Sequence, residues 1–74
     1  MIDDWKPLLG RKVSLRYRLH DPEHPFSEAI GVVSAVRSDP SGGQIVSILT
    51  RSGETKQIAA ADVTATKLFP LSRS

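Results

Sequence analysis

Apolar and polar residues alternate most regularly at positions 11–19. Four apolar side chains alternate with three basic ones and a serine: Val13, Leu15, Tyr17 and Leu19 against Lys12, Ser14, Arg16 and Arg18. A two-residue repeat is the period of a β-strand, because successive side chains point to opposite faces. One buried face beside a solvated one is typical of antiparallel sheets and barrels. The pattern therefore predicts a first strand with an apolar inner face and a basic outer face.

The densest apolar run, residues 28–50, is predicted to form a β-hairpin around which the other strands assemble. Its arms, residues 27–37 and 44–50, are rich in β-branched side chains, and residues 39–43 are turn formers. The first arm sets Ile30, Val32 and Val36 against Ala29, Val33 and Ala35, and the second sets Ile45 and Leu49 against Val46 and Ile48. Apolar residues on both faces favour burial on both faces and a central place in a barrel. Gly31 is expected to mark a bulge or a bend.

Residues 2–10 are predicted to form a short helical turn that covers an open end of the sheet. Asp3 or Asp4 would be its N-cap, and Gly10 suits a left-handed stop. Trp5, Leu8 and Leu9 follow helical spacing and are expected on one face. Trp5 is interpreted as a core residue rather than as a ligand-stacking one.

The remaining segments complete a five-stranded pattern. A tight turn at 51–54 precedes a short strand at 55–59 with Ile58 inward, and residues 60–62 read as a single 3₁₀ turn. Residues 63–69 form the last strand, which Pro70 ends. We predict an all-β, five-stranded antiparallel barrel of the SH3-like type, with an Sm-like barrel as the open alternative. Residues 1–70 would form one domain, and residues 71–74 a tail or the start of a linker.

Composition is that of an ordinary soluble globular chain. Hydrophobic residues make up 39% and charged residues 24% of the 74 residues, and cysteine is absent, which excludes disulfides and the usual structural zinc sites. No apolar run approaches the roughly 20 residues of a membrane span, and the acidic start is unlike a secretory signal. A cytoplasmic location is therefore expected, while the oligomeric state is left open.

Candidate catalytic and metal-binding groups are few. His20 and His24 share the polar loop 20–26, but Pro22 and Pro25 break any helical ligand spacing, so no metal site is predicted and Phe26 is expected to enter the core. No Gly-x-Ser-x-Gly elbow accompanies these histidines. The turn at 39–43 lacks the lysine and the helix of a phosphate loop. We expect these 74 residues to hold no catalytic, cofactor or metal site.

Basic residues of the predicted outer face form the one candidate binding surface. The net charge is only +2, yet the first strand is strongly basic. The candidate residues, which would contact a partner protein or nucleic acid, are Lys12, Arg16, Arg18 and, across the sheet, Arg37. Binders of single strands interleave basic residues with exposed aromatic ones, whereas alternation points Tyr17, Phe26 and Phe69 inward. Nucleic-acid binding is therefore the alternative rather than the favoured function.

Motifs spread over almost the whole chain resemble one family. They are Trp-Lys-Pro-Leu-Leu-Gly-Arg-Lys-Val-Ser-Leu-Arg-Tyr-Arg-Leu at 5–19, Gly-Val-Val at 31–33, Leu-Thr-Arg-Ser-Gly-Glu at 49–54, Ile58, Asp-Val-Thr-Ala-Thr-Lys at 62–67 and Pro70. Together they resemble the SH3-like domain at the N-terminus of actinobacterial GNAT-family N-acetyltransferases, often described as histone-acetyltransferase-like.

The resemblance implies an accessory module that precedes an acetyltransferase domain. Acetyl-CoA and catalysis would belong to that second domain, so no acetyl-CoA site is transferred to any residue of this sequence. The chain would be either a fragment of a longer enzyme or a free-standing relative. The expected function is a non-catalytic interaction module that packs against or regulates a partner domain. The alternative is an Sm-like or SH3-like nucleic-acid binder that uses the basic first strand.

Overall fold

The computed structural model describes residues 4–70, which form a single five-stranded antiparallel sheet curled around one apolar core. The elements in chain order are a 3₁₀ turn Lys6–Leu8, β1 Lys12–Arg18, β2 Phe26–Ser38, β3 Gln44–Thr50, β4 Thr55–Ala59, a second 3₁₀ turn Ala60–Asp62, and β5 Val63–Leu68. The strand order is β4-β3-β2-β1-β5, so the two edge strands are joined directly by the second 3₁₀ turn. The predicted fold class is confirmed. The predicted tail at 71–74 lies outside the described residues.

The core is built from alternate residues of the four strands β1 to β4, together with one residue ahead of them. Its buried members are Trp5, Val13, Leu15, Ala29, Val33, Val46, Ile48 and Ile58. Half-buried side chains that pack around them include Tyr17 and Val63. The inward positions predicted for Val13, Leu15 and Tyr17 of β1 and for Ile58 of β4 are correct, because a period of two assigns faces reliably where a strand is regular.

The prediction that β2 and β3 are buried on both faces is wrong. Ile30, Val32 and Leu49 are 49%, 38% and 42% exposed, and all three point away from the core. The sheet has a single core on its inner side, and in the described part of the chain no second layer covers the outer side. The extra aliphatic residues of the hairpin are therefore surface residues.

An irregularity at Ser34 changes which residues of β2 point inward. The pairing of β2 with β3 slips between Val33 and Ala35, so that Ser34 is an extra residue. Val33 is buried, Val36 is half-buried against the core, and Ala35 is exposed. The predicted grouping of Val33 with Ala35 fails because a bulge shifts the alternation by one position.

Gly31 is needed for a close approach between strands rather than for a bend. The register slip that a bend would accompany occurs at Ser34, three residues further along β2. A Cβ on Gly31 would lie 2.8 Å from the carbonyl carbon of Leu49 and closer still to its oxygen, and 2.9 Å from Cγ2 of Ile48. Only a residue without a side chain fits at this point.

The first turn of the chain closes one end of the barrel. It is a three-residue 3₁₀ helix rather than a longer helical turn, and Trp5 precedes it with 3% of its surface exposed. Leu8 packs against the core, whereas Leu9 is 48% exposed. The predicted shared face fails for Leu9 because a 3₁₀ helix repeats every three residues, which aligns Trp5 with Leu8 alone. Trp5 is a core residue, as predicted.

The side-chain amide of Gln44 ties this turn to β3. The backbone N–H of Trp5 donates to Oε1 of Gln44 at 2.8 Å, and Nε2 of Gln44 donates to Oδ1 of Asp4 at 3.0 Å. The same carboxylate accepts the N–H of Lys6 at 3.0 Å. The N-cap residue of the 3₁₀ turn is Trp5 rather than the predicted Asp4, which lies one residue earlier. The alternative N-cap, Asp3, lies outside the described residues.

Both predicted tight turns are present. Gly42 and Gly53 have φ of 94° and 89°, values that favour glycine. The amide of Asp39 donates to Gly43 at 2.8 Å in the first turn, and that of Thr50 donates to Glu54 at 2.8 Å in the second. Gly10, predicted as the stop of the first turn, has φ of 83°.

Candidate interaction surface

The outer face of β1, β2 and β3 carries a contiguous apolar strip formed by Ile30, Val32 and Leu49. Strand register places Lys12 opposite Val32, and Val32 opposite Leu49. Lys12, Val32 and Leu49 therefore form one row across the sheet. Ile30 lies two positions from Val32 on the same face of β2. Paired side chains in such a row are about 5 Å apart, which makes the strip continuous.

The strip lines a shallow groove of about 610 Å³. Its lining consists of Lys12, Ile30, Gly31, Val32, Leu49, Thr50 and Arg51. Lys12 lies on the β1 side of β2, and Arg51 follows the end of β3 on the other side. The groove thus has an aliphatic floor and a cation on each flank.

Basic residues of β1 continue this face beyond the strip. Arg16 and Arg18 are exposed, and register places Arg16 opposite Glu28 and Arg18 opposite Phe26. The guanidinium carbon of Arg16 lies 4.8 Å from the centroid of the Phe26 ring. The hydroxyl of Thr64 donates to the backbone carbonyl of Arg16 at 3.1 Å and holds β5 to β1 at this point.

Phe26 is therefore not a core residue, contrary to the sequence prediction. It is the first residue of β2, where its ring is 44% exposed on the basic outer face. Phe69 is half-buried, follows β5, and has Nζ of Lys12 at 5.1 Å from its ring centroid. Two of the three aromatic residues expected inside the barrel thus lie beside cations, an arrangement that is itself attractive.

Arg37 does not belong with the other three candidate residues. It is one residue from the end of β2, whereas Arg18 pairs with the first residue of that strand. Nη2 of Arg37 donates to Oε1 of Gln57 on β4 at 3.0 Å. Lys12 and Arg18 are the two ends of β1, with Arg16 near Arg18, and Arg37 lies on β2 five residues beyond the register partner of Lys12 and far from that of Arg18.

Charges are segregated between strands and connections. Among residues 4–70 the strands contain one carboxylate, Glu28, while their basic residues are Lys12, Arg16, Arg18, Arg37, Lys56 and Lys67. The other described carboxylates lie outside the strands, in loops, in tight turns and in the second 3₁₀ turn. The sheet is consequently more basic than the net charge of +2 suggests.

A second groove, of about 340 Å³, runs along the edge strand β5. Its lining is uncharged and comprises Trp5, Ala60, Val63, Thr64, Ala65, Thr66 and Leu68.

The histidine loop offers little chemistry. Nε2 of His20 lies 3.5 Å from Oδ1 of Asp62, and the His20 side chain is 80% exposed. No group of three or more potential metal ligands occurs within the described residues. Among residues 4–70, no helical segment has the length and apolar character that crossing a bilayer requires.

Five curled antiparallel strands with an apolar and basic outer face define a small β-barrel domain of the SH3-like and Sm-like class. Within that class the chain belongs to the family described as the Rv0428c N-terminal Sm-like domain, whose model matches residues 7–67. No curated protein and no solved structure matches the chain significantly. The match extends from the first 3₁₀ turn to within one residue of the end of β5, so it covers the whole sheet except Leu68.

Sequence reasoning identified the basic part of this surface and missed its apolar part. Ile30, Val32 and Leu49 were assigned to the interior because they look like core residues of a central strand. The number of aliphatic residues in the hairpin could have indicated an apolar surface, since a 74-residue barrel with one core cannot enclose both faces of two strands.

Proposed function

We propose that this domain is a non-catalytic interaction module, and that its partner docks on the outer face of β1, β2 and β3. The observation that carries the proposal is the exposure of Ile30, Val32 and Leu49 as one continuous strip. Grouped exposed aliphatic residues with a polar border are typical of protein interaction sites. The flanking cations Lys12 and Arg51 supply that border.

The chemistry of this face suits binding rather than group transfer. Its groove is lined by aliphatic side chains, one threonine, one lysine and one arginine. A threonine acting as nucleophile needs a neighbouring base, and the groove lining supplies neither a histidine nor a carboxylate. The face can exclude water from an apolar contact and attract negative charge.

The partner that we propose is an acetyltransferase domain. The support is the resemblance of the motifs at 5–19, 49–54 and 62–67 to the domain that precedes GNAT-family catalytic domains. The name of the matched family, which describes an N-terminal domain, fits such an arrangement. In this proposal acetyl-CoA binds to the partner, and the barrel packs against it or regulates it.

Two measurements test the proposal. The purified 74-residue chain incubated with acetyl-CoA and an amine acceptor should give no turnover, and measurable acetylation would refute the non-catalytic assignment. A GNAT-family catalytic domain, produced separately and titrated into the ¹⁵N-labelled barrel, should shift amides of Lys12, Val32 and Leu49. Amide shifts confined to β4 and β5 would show that the partner docks on those strands and not on the proposed face.

Nucleic-acid binding is the second candidate, and the position of Phe26 favours it. An exposed ring beside Arg16 and Arg18 is the combination that binds single strands through stacking and charge. Fluorescence anisotropy with single-stranded RNA and DNA at low salt provides the test. A dissociation constant weaker than roughly millimolar would exclude this function, because phosphate contacts are strongest at low salt.

A further inference from the structure

We infer that the segment of the partner that enters the outer groove is acidic and aliphatic, with carboxylates on both sides of an apolar residue. This inference rests on the proposed docking function and specifies the chemistry of the partner. It depends on how Lys12, the aliphatic strip and Arg51 are arranged.

The two cations lie on opposite flanks of β2. Lys12 is the register partner of Val32 on β1. Gly31 pairs with Thr50, so Arg51, which follows Thr50, lies beside Ile30 on the β3 side. Three adjacent strands span two strand spacings, or roughly 10 Å, and this distance separates the backbones that carry the cations.

Lys12 also contacts Phe69, its neighbour on the β5 side of β1. Its Nζ lies 5.1 Å from the centroid of the Phe69 ring, and its backbone carbonyl accepts the amide of Phe69 at 3.0 Å. A carboxylate bound at the groove would share the ammonium with this ring.

Charge complementarity decides which aliphatic segment fits. Glu28 is the one carboxylate of the described strands, and although it lies two positions from Ile30 on the outer face, it is paired across the sheet with Arg16. An incoming basic segment would meet Lys12 and Arg51, because the groove lining contains these two cations and no carboxylate. An incoming acidic segment would pair with Lys12 and Arg51 while its aliphatic side chain covers Val32 and Leu49.

Synthetic peptides provide the direct test. The probe is an acetylated, amidated peptide in which leucine and valine are flanked by glutamates. Two matched peptides carry glutamine or lysine in place of glutamate. We expect the acidic peptide to shift the amides of Val32 and Leu49, the glutamine peptide to bind several-fold more weakly, and the lysine peptide to bind least.

Variants of the barrel separate charge from apolar contact. Lys12→Ala should weaken binding of the acidic peptide about two- to fivefold, which is the usual effect of an exposed ion pair. Leu49→Asp should weaken it at least tenfold, because it removes an apolar contact and adds a like charge. Lys6→Ala, an exposed lysine in the first 3₁₀ turn and outside the groove lining, is the matched control and should leave the affinity unchanged.

The outcomes distinguish this inference from the proposed function. Equal binding of the three peptides, with the catalytic domain still shifting Val32 and Leu49, would refute the acidic partner and leave the docking face intact. If neither peptides nor domain shift these amides, both ideas fail. Stronger shifts of the same amides with single-stranded RNA, or a dimer that sedimentation analysis detects in the wild type and not in Leu49→Asp, would also overturn the inference.

Discussion

The guanidinium of Arg16 lies against the ring of Phe26, at 4.8 Å from the ring centroid, on the solvent side of the sheet. The two residues belong to neighbouring strands and are diagonal neighbours, since Arg16 pairs with Glu28 and Phe26 pairs with Arg18. The contact explains how an exposed phenylalanine is accommodated at the start of β2.

Replacing Phe26 should affect stability little. Phe26→Ala removes one exposed cation–π contact, and we expect the free energy of unfolding to fall by about 1 kcal/mol or less. Trp5→Ala, which empties a site that is 3% exposed, should cost about 3–5 kcal/mol. Urea unfolding of both variants checks the comparison. Similar losses of unfolding free energy in the two variants would show that Phe26 is a core residue.

Gly31→Ala should destabilise the barrel by about 2 kcal/mol or more, since the added methyl group collides with the backbone of Leu49. A loss of that size lowers the Tm of a domain this small by roughly 10 °C. Gly43→Ala is the matched control, because a Cβ there meets nothing within 4 Å. Thermal unfolding followed by circular dichroism measures both. Equal Tm values would show that β2 and β3 separate easily at this point.

Neighbouring residues of β3 should respond very differently to truncation. Ile48 is fully buried and Leu49 is 42% exposed. Ile48→Ala should cost about 2–5 kcal/mol, whereas Leu49→Ala should change the free energy of unfolding by less than about 1 kcal/mol. If Leu49→Ala were as damaging as Ile48→Ala, the outer face would be covered and unavailable for docking.

The carboxyl of Asp4 should titrate below its usual range. The hydrogen bond from Gln44 and then that from the Lys6 amide hold the pKa of Asp4 below 3.8. A depressed folded-state pKa means that the associated stability is present above about pH 4 and is lost as the pH falls through the folded-state value. Gln44→Ala should raise this pKa toward 3.8, as measured by NMR of the side-chain carboxyl. An unchanged pKa would show that Gln44 does not bind Asp4 in solution.

Gln44→Ala also tests the attachment of the first turn. The Trp5 amide loses its acceptor, which should cost about 1 kcal/mol. Hydrogen exchange at the Trp5 amide should accelerate more than exchange at the core amides of β2, which should accelerate only by the factor that corresponds to the loss of global stability. A uniform acceleration would mean that the turn and the sheet unfold together.

Local patterns predicted most of the fold. The bounds of β3, β4 and the second 3₁₀ turn follow directly from alternation, glycine-containing turns and segment length, and the structure has them at the predicted residues. These features are local, so the sequence carries them without reference to distant contacts.

The candidate surface was harder to predict because it depends on the whole sheet. Alternation shows that Ile30 and Val32 share a face, but it does not show whether that face is covered. The bulge at Ser34 leaves no clear mark, since serine and its neighbours fit a regular strand equally well. Phe26 follows a proline-rich loop, and a lone phenylalanine there is indistinguishable from a core residue until its strand partner Arg18 is known.

The close approach at Gly31 has a consequence for recognition. It locks β2 to β3 directly beneath the groove, so Val32 and Leu49 are presented by paired strands rather than by loops. A partner would meet a surface that already has its bound shape, and little ordering entropy would oppose association. In the proposed docking, Gly31 would therefore act as a source of preorganisation, and a substitution there should lower affinity as well as stability even though the side chains proposed to touch the partner are unchanged.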